Sequence, residues 1–241
     1  MPALLHHEVR QVLDTRGSRV AMALGALAVL ALMAGIVFVL NGDSASVPVA
    51  EAVGIVVLLA PLTIALVAVL AASGEWTHGT AGITVPMVAS RSALFAAKLL
   101  AVVVVSLALF LSACAVVALG AVAVTLVRGG AVDWAGTGQQ LVAGAVATLL
   151  ASFFGFGMTM LIRGFVLSVL AVVGVTLGWN AFAAMVLHDD AGHLQSLTPL
   201  ALATAGQATI MPPATAIASS LFLWYVLPLV LGWFRYSRAD L

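Results

Sequence analysis

The sequence predicts an all-α, polytopic membrane protein with six transmembrane helices. Of its 241 residues, 63% are hydrophobic and only 7% are charged, whereas soluble domains carry about 25% charged residues. The mean hydropathy is +1.22, and the apolar residues are gathered in long stretches without charges. A soluble globule of this length needs more polar surface to cover its core.

The N-terminal segment, residues 2–17, is expected to form an amphipathic helix along the cytoplasmic membrane surface. Its polar residues, which include Glu8 and Arg10, fall mostly on the side opposite the apolar ones. The alternative is a frayed polar leader. The apolar residues repeat with helical spacing at Leu5, Val9, Val12 and Leu13.

The six spans follow from the length of the charge-free stretches. A helix rises about 1.5 Å per residue, so about 20 residues cross a hydrocarbon core of about 30 Å. The first stretch exceeds the apolar core of a signal peptide, which is typically about 7–15 residues. The third is longer than the bilayer demands and should tilt or project beyond it. The predicted spans are 20–40, 52–73, 99–127, 139–162, 165–187 and 215–234.

The basic residues predict the orientation. With six spans, eight of the nine lysines and arginines fall on one side, and only Arg128 falls on the other. Cytoplasmic loops carry an excess of basic residues. We therefore expect both termini in the cytoplasm and the chain in the plasma membrane.

The residues missing from the spans exclude several functions. No ionisable side chain lies at mid-depth, which disfavours ion-driven carriers and proton pumps. The spans contain no histidine, and the His-Glu-x-x-His motif is absent, so intramembrane proteolysis is not expected. A formal net charge of zero gives no basic patch for nucleic acid.

The chain also lacks an ATPase motif. Its only lysine, Lys98, lies in Ala-Ala-Lys-Leu-Leu and not in a phosphate-binding loop. We therefore expect no catalysis and no cofactor in this chain. If it is an active transporter, the energy comes from another polypeptide.

Two features have a simpler explanation than a functional one. Cys114 lies in an apolar run and is expected to be a small buried hydrophobe. The cluster His188, Asp189, Asp190 and His193 has no recognised metal-ligand spacing, so we expect a solvated outer loop instead of a metal site.

Small and polar residues within the spans predict close helix packing. Thr148, Ser152 and Asn180 either pack against other helices or line a substrate path. The small-residue stripes allow helices to approach closely, either within one chain or along a dimer seam. These stripes are Gly144, Thr148 and Ser152, then Ala147, Ala151 and Gly155, and finally Gly174 and Gly178.

The segment after the second predicted span carries Glu75-x-x-x-Gly79-Thr80, then Val85-Pro86, then Arg91 and Lys98. This pattern resembles the cytoplasmic loop of type 2 ABC transporter permeases, in the actinobacterial-like drug- or peptide-export branch. The segments Glu8-Val9-Arg10 and Thr15-Arg16 are similar to the interfacial helix of that family. One departure is that Arg91 stands five residues after Pro86, where many relatives place it closer.

The resemblance implies a permease that works with a separate ATP-binding subunit. Two permease copies, as a homodimer or a heterodimer with a paralogue, pair with two P-loop ATPases that bind ATP and Mg²⁺. An ion-gradient-driven carrier and a non-transporting scaffold or sensor subunit stay as alternatives. The ATPase-docking residues implied are Glu75, His78, Gly79, Thr80 and Arg91, braced by the interfacial helix with Glu8, Arg10 and Arg16. The alternative is that these residues only cap and position short helices.

Overall fold

The protein is represented by a computed structural model that describes residues 9–10, 48–77, 91–187, 195 and 213–238. All regular secondary structure in these residues is helical. Helix α1 is Val49–Thr77, α2 is Arg91–Val127 and α3 is Thr137–Ile162. Helices α4 and α5 each contain a π-helical stretch. α4 consists of Phe165–Val173, Gly174–Trp179 and Asn180–Leu187, and α5 of Ala214–Leu221, Phe222–Val226 and Leu227–Ser237.

Five helices are long and apolar enough to cross a membrane. They coincide with the second to sixth predicted spans, which confirms the all-helical, membrane-protein character of this part of the chain. The predicted span 20–40 lies outside the described residues, as does most of the predicted interfacial helix. Within that helix, Val9 and Arg10 are helical and Arg10 is exposed.

The helix ends differ most from the predicted span ends at one connection. α1 continues to Thr77 and α2 begins at Arg91, whereas the second predicted span ends at residue 73 and the third begins at residue 99. Residues 91–98 contain three alanines together with one arginine, one leucine and one lysine, and all of these residue types favour helix. The charges mark the limit of the apolar segment and not the end of the helix. With 37 residues, α2 is about 55 Å long at about 1.5 Å per residue.

Helix α3 is central and contacts all four other helices, α1 most extensively. A Cβ atom on Gly155 would collide with the carbonyl oxygen of Ala65 and lie 2.9 Å from the Cβ of Ala68, both in α1. A Cβ atom on Gly144 would collide with the ring of Phe110 in α2. The small-residue stripes of α3 therefore pack within one chain. In α4, by contrast, Gly174 and Gly178 are exposed, and an added Cβ would meet nothing within 4 Å.

Aromatic side chains join α2, α3 and α5 near one end of the bundle. The ring centroids of Phe95 and Phe156 lie 5.1 Å apart in an edge-to-face arrangement, and those of Phe95 and Tyr236 lie 5.8 Å apart. Phe156 and Tyr236 are almost fully buried. Such aromatic pairs contribute about 0.5–1.5 kcal/mol beyond the area they bury, so this cluster fixes the relative positions of the three helices.

Candidate functional site

The antiparallel order of the five helices separates the charged side chains into two ends. One end carries Glu51, Arg128 and Asp133. At this end the backbone N–H of Val49 donates a hydrogen bond to the carbonyl oxygen of Asp133 at 3.1 Å. The opposite end contains five of the eight basic residues predicted to share one side. We call it the basic end and define it by Arg91, Lys98, Arg163, Arg235 and Arg238.

Three arginines of the basic end donate hydrogen bonds to the C-terminal carbonyls of two helices. Nη1 of Arg91 donates to the carbonyl oxygen of Ser237 at 3.0 Å. Nη2 of Arg163 donates to the carbonyl of Arg235, and Nη1 of Arg235 donates to the carbonyl of Leu161. The last carbonyls of a helix lack helical partners and form the negative end of its dipole. These arginines therefore hold the ends of α2, α3 and α5 together.

Arg163 has a backbone conformation that is unusual for a residue other than glycine. It follows α3 with φ 60° and ψ 25°, and its N–H donates to the carbonyl oxygen of Thr159 at 2.8 Å. This left-handed conformation costs roughly 1–2 kcal/mol in a residue that has a Cβ and is usually taken by glycine. Burial and the neighbouring charge of Arg235 both lower the pKa of Arg163.

The predicted docking residues are placed only in part. Arg91 is the first residue of α2, half-buried against the end of α5. Glu75 belongs to the last turn of α1, which corrects the prediction that it lies in a loop. His78, Gly79 and Thr80 lie outside the described residues, as do Glu8 and Arg16 of the interfacial helix. Their docking and bracing roles stay predictions.

The residues predicted to line a substrate path are buried inside the chain. Thr148 and Ser152 are fully buried in α3, and Oγ of Ser152 donates to the carbonyl oxygen of Thr148 at 2.8 Å. Within the described part of the chain, Oγ1 of Thr148 has no hydrogen-bond partner. Buried hydroxyl groups normally have a hydrogen-bond partner. Among Thr148, Ser152 and Asn180, Thr148 is therefore the residue whose polar side chain is not explained by helix packing. The substrate path stays a prediction.

Asn180 stabilises the backbone next to the π-helical stretch of α4. Its backbone N–H points to the carbonyls of Val175 and Leu177, and its side-chain Nδ2 donates to the intervening carbonyl of Thr176 at 2.9 Å. A π-helical stretch shifts the regular hydrogen-bond partners by one residue. The amide side chain thus bonds the carbonyl of Thr176, which the backbone N–H of Asn180 bypasses, and the substrate path stays a prediction for Asn180 as well.

The two π-helical stretches contact each other, which the sequence did not predict. Trp179 in α4 and Trp224 in α5 have ring centroids 6.3 Å apart, and Trp224 also meets Phe154 of α3 edge-on at 6.3 Å. π-Helical segments are frequent at functional sites. Hydrophobic periodicity does not distinguish a π-helical turn from an α-helical one. The one sequence feature that could have pointed to this contact is the presence of a tryptophan in each of the two apolar spans.

Two further features noted in the sequence are Cys114 and the cluster of histidine and aspartate at residues 188–193. Cys114 is buried in α2, as predicted for an apolar position. The cluster of residues 188–193, where we expect a solvated loop, lies outside the described residues. The charged side chains that are described are concentrated at the two ends of the bundle, and the basic end contains the most extensive polar linkage between helices.

Comparison with protein families, curated proteins and solved structures gives no match to this chain. The features that bear on function are therefore those of the chain itself. They are an apolar helical bundle, a basic end whose arginines link three helices, and two long helices that flank residues 78–90.

Proposed function

We propose that the chain is the transmembrane permease subunit of an ATP-driven exporter in the plasma membrane, with both termini in the cytoplasm. The cargo is a drug, a peptide or a lipid-like molecule. Two copies of the chain, identical or paralogous, work with two P-loop ATPase subunits that bind ATP and Mg²⁺. The similarity of the 75–98 segment to the loop of type 2 ABC permeases suggests this family, and the structure supports it in mechanical terms.

The observation that carries the proposal is the length of the two helices flanking residues 78–90. α1 has 29 residues and α2 has 37, which corresponds to about 43 and 55 Å at about 1.5 Å per residue. Both exceed a hydrocarbon core of about 30 Å. A subunit that binds residues 78–90 would therefore act directly on two continuous helices, which transmit its motion into the membrane.

Arg91 extends this linkage to the rest of the bundle. It begins α2 and donates to the carbonyl of Ser237 at the end of α5. One turn later, Phe95 contacts Phe156 of α3 and Tyr236 of α5. A displacement of the start of α2 therefore reaches α3 and α5 through packed side chains, as in rigid-body switching between two arrangements of a membrane domain.

The energy source favours a separate ATPase over an ion gradient. The only lysine of the chain, Lys98, is buried within α2 and is not part of a phosphate-binding loop. The middle of the spans offers a coupling ion no charged side chain to bind. In the proposed mechanism, ATP binding closes the two ATPases and shifts the two permeases toward a second conformation.

Affinity purification of the tagged full-length chain from native membranes in a mild detergent tests the proposal. We expect mass spectrometry to identify a P-loop ATPase in amounts comparable to the chain. An unrelated polytopic protein with the same tag and expression level is the control. An intact, monodisperse preparation without such an ATPase would contradict the proposal and favour the ion-gradient carrier or the scaffold.

A further inference from the structure

We propose that Arg163, Arg235 and Arg238 form a binding site for the phosphate group of an anionic phospholipid at the basic end of the bundle. The site shares the basic end with Arg91, which bonds to Ser237 next to Arg238, but it does not include any of the predicted ATPase-docking residues. The proposed site does not depend on the proposed transport function, because lipid binding can be measured on the purified chain without an ATPase or a cargo.

Positive charge is concentrated at the basic end. Arg163 and Arg235 each donate to the backbone at the other's helix end, which holds both guanidinium groups between the ends of α3 and α5. Arg238 follows Arg235 by three residues, a spacing that places both on one side of a helix end. The acidic residues whose side chains the structure describes, Glu51 and Asp133, lie at the opposite end.

The backbone conformation of Arg163 indicates that its side chain is required. An arginine occupies a left-handed position where glycine would be free of the conformational cost. Gly164 follows directly but has an extended conformation with φ −141°. An unfavourable backbone conformation that persists in a folded protein suggests a functional requirement for the side chain it carries. Here the requirement is a guanidinium group between the ends of α3 and α5.

The arginines lie at the depth of the membrane–water interface. On α5 the exposed apolar residues Val230 and Leu231 are followed by Trp233 and Phe234, which are 37% and 42% exposed. Amphipathic aromatic residues such as tryptophan are enriched at the membrane–water interface. The guanidinium carbon of Arg238 lies 5.3 Å from the ring centroid of Phe234. This order of apolar, aromatic and basic residues places the arginines at the level of lipid headgroups.

The chemistry of the side chains selects the ligand. The guanidinium group is planar, stays charged and presents five donors that match phosphate oxygens in a bidentate geometry. One N–H of Arg235 is directed to Leu161, and its side chain is exposed. Basic pockets between helices on the cytoplasmic side bind anionic headgroups. A phospholipid presents the same phosphate chemistry as a free phosphate ion but is already held at the right depth by its acyl chains.

Native mass spectrometry of the purified full-length chain tests the site. The probes are phosphatidylglycerol and phosphatidylcholine with identical acyl chains, added separately to delipidated protein. We expect the chain to bind phosphatidylglycerol about tenfold more tightly than phosphatidylcholine. The double variant Arg163→Gln/Arg235→Gln should reduce this preference to less than about twofold. Arg128→Gln, at the opposite end, should leave it unchanged.

Two further measurements keep the test decisive. Because Arg163 and Arg235 also hold helix ends, Arg238→Gln is measured separately, and it should lower the preference about threefold without loss of the folded chain. Inorganic phosphate in excess should not displace phosphatidylglycerol, and displacement would identify a site for free anions instead. Equal binding of the two lipids, or an unchanged preference in both arginine variants, would overturn the lipid site. An acidic segment of a protein would then be the better match for the basic end.

Discussion

Replacing Gly155 with leucine is expected to prevent α1 and α3 from packing and to abolish the stable folded chain. A Cβ atom at this position already collides with the carbonyl oxygen of Ala65, and backbone atoms of a helix cannot move aside as a flexible side chain can. Overpacking a close contact typically costs about 1–3 kcal/mol and occasionally more. Here the leucine would act on the most extensive helix pair in the described bundle.

The measurement is the monodisperse yield in detergent and the temperature of thermal aggregation. Gly138→Leu is the matched control, because Gly138 lies in the same helix, is exposed, and an added Cβ would meet nothing within 4 Å. Gly155→Ala should give an intermediate loss. A Gly155→Leu chain with the yield and aggregation temperature of the original protein would contradict the packing described for α1 and α3.

Replacing Arg91 with glutamine is expected to uncouple the chain from its ATPase while leaving membrane insertion intact. The substitution removes the charged donor that joins the start of α2 to Ser237. A hydrogen bond that involves a charged group contributes about 1.5–3 kcal/mol, which corresponds to about a tenfold to hundredfold change in an equilibrium constant. We expect the amount of ATPase that copurifies to fall by at least about tenfold.

The controls separate the charge from its geometry and from its location. Arg91→Lys keeps the positive charge without the planar fork and should recover part of the binding. The single variant Arg128→Gln removes a cation from the opposite end, and it should retain the full amount of copurifying ATPase. If Arg91→Gln and Glu75→Gln both retain the full amount of ATPase, the assignment of the docking residues is wrong.

Five of the six predicted spans could be compared with helices, and their positions follow from composition. A bilayer core of fixed thickness requires a minimum apolar length, so charge-free stretches locate the helices within a few residues. The start of α2 was missed because Ser92–Lys98 is a good helix-forming sequence outside the apolar stretch. Composition defines the membrane segment, whereas propensity defines the helix.

The sequence sorted the basic residues by side but did not show what they contact. The bond between Arg163 and the carbonyl of Arg235 joins residues 72 positions apart, and no periodicity predicts a contact of that range. The left-handed backbone of Arg163 also contradicts the usual preference for glycine at such a position. The burial of Thr148 and Ser152 follows from their place between small residues, and sequence analysis left packing and a substrate path open for both.

The central claim is that a separate P-loop ATPase docks on the residues between α1 and α2. Cys114 is the only cysteine, so a Cys114→Ala chain accepts single new cysteines for site-specific photo-crosslinking in membrane vesicles. A crosslinker on Thr80→Cys should capture a P-loop ATPase. The same crosslinker on Ala131→Cys, an exposed position at the opposite end, should not. A folded chain that captures no ATPase at position 80, or captures it equally at both positions, would contradict the claim.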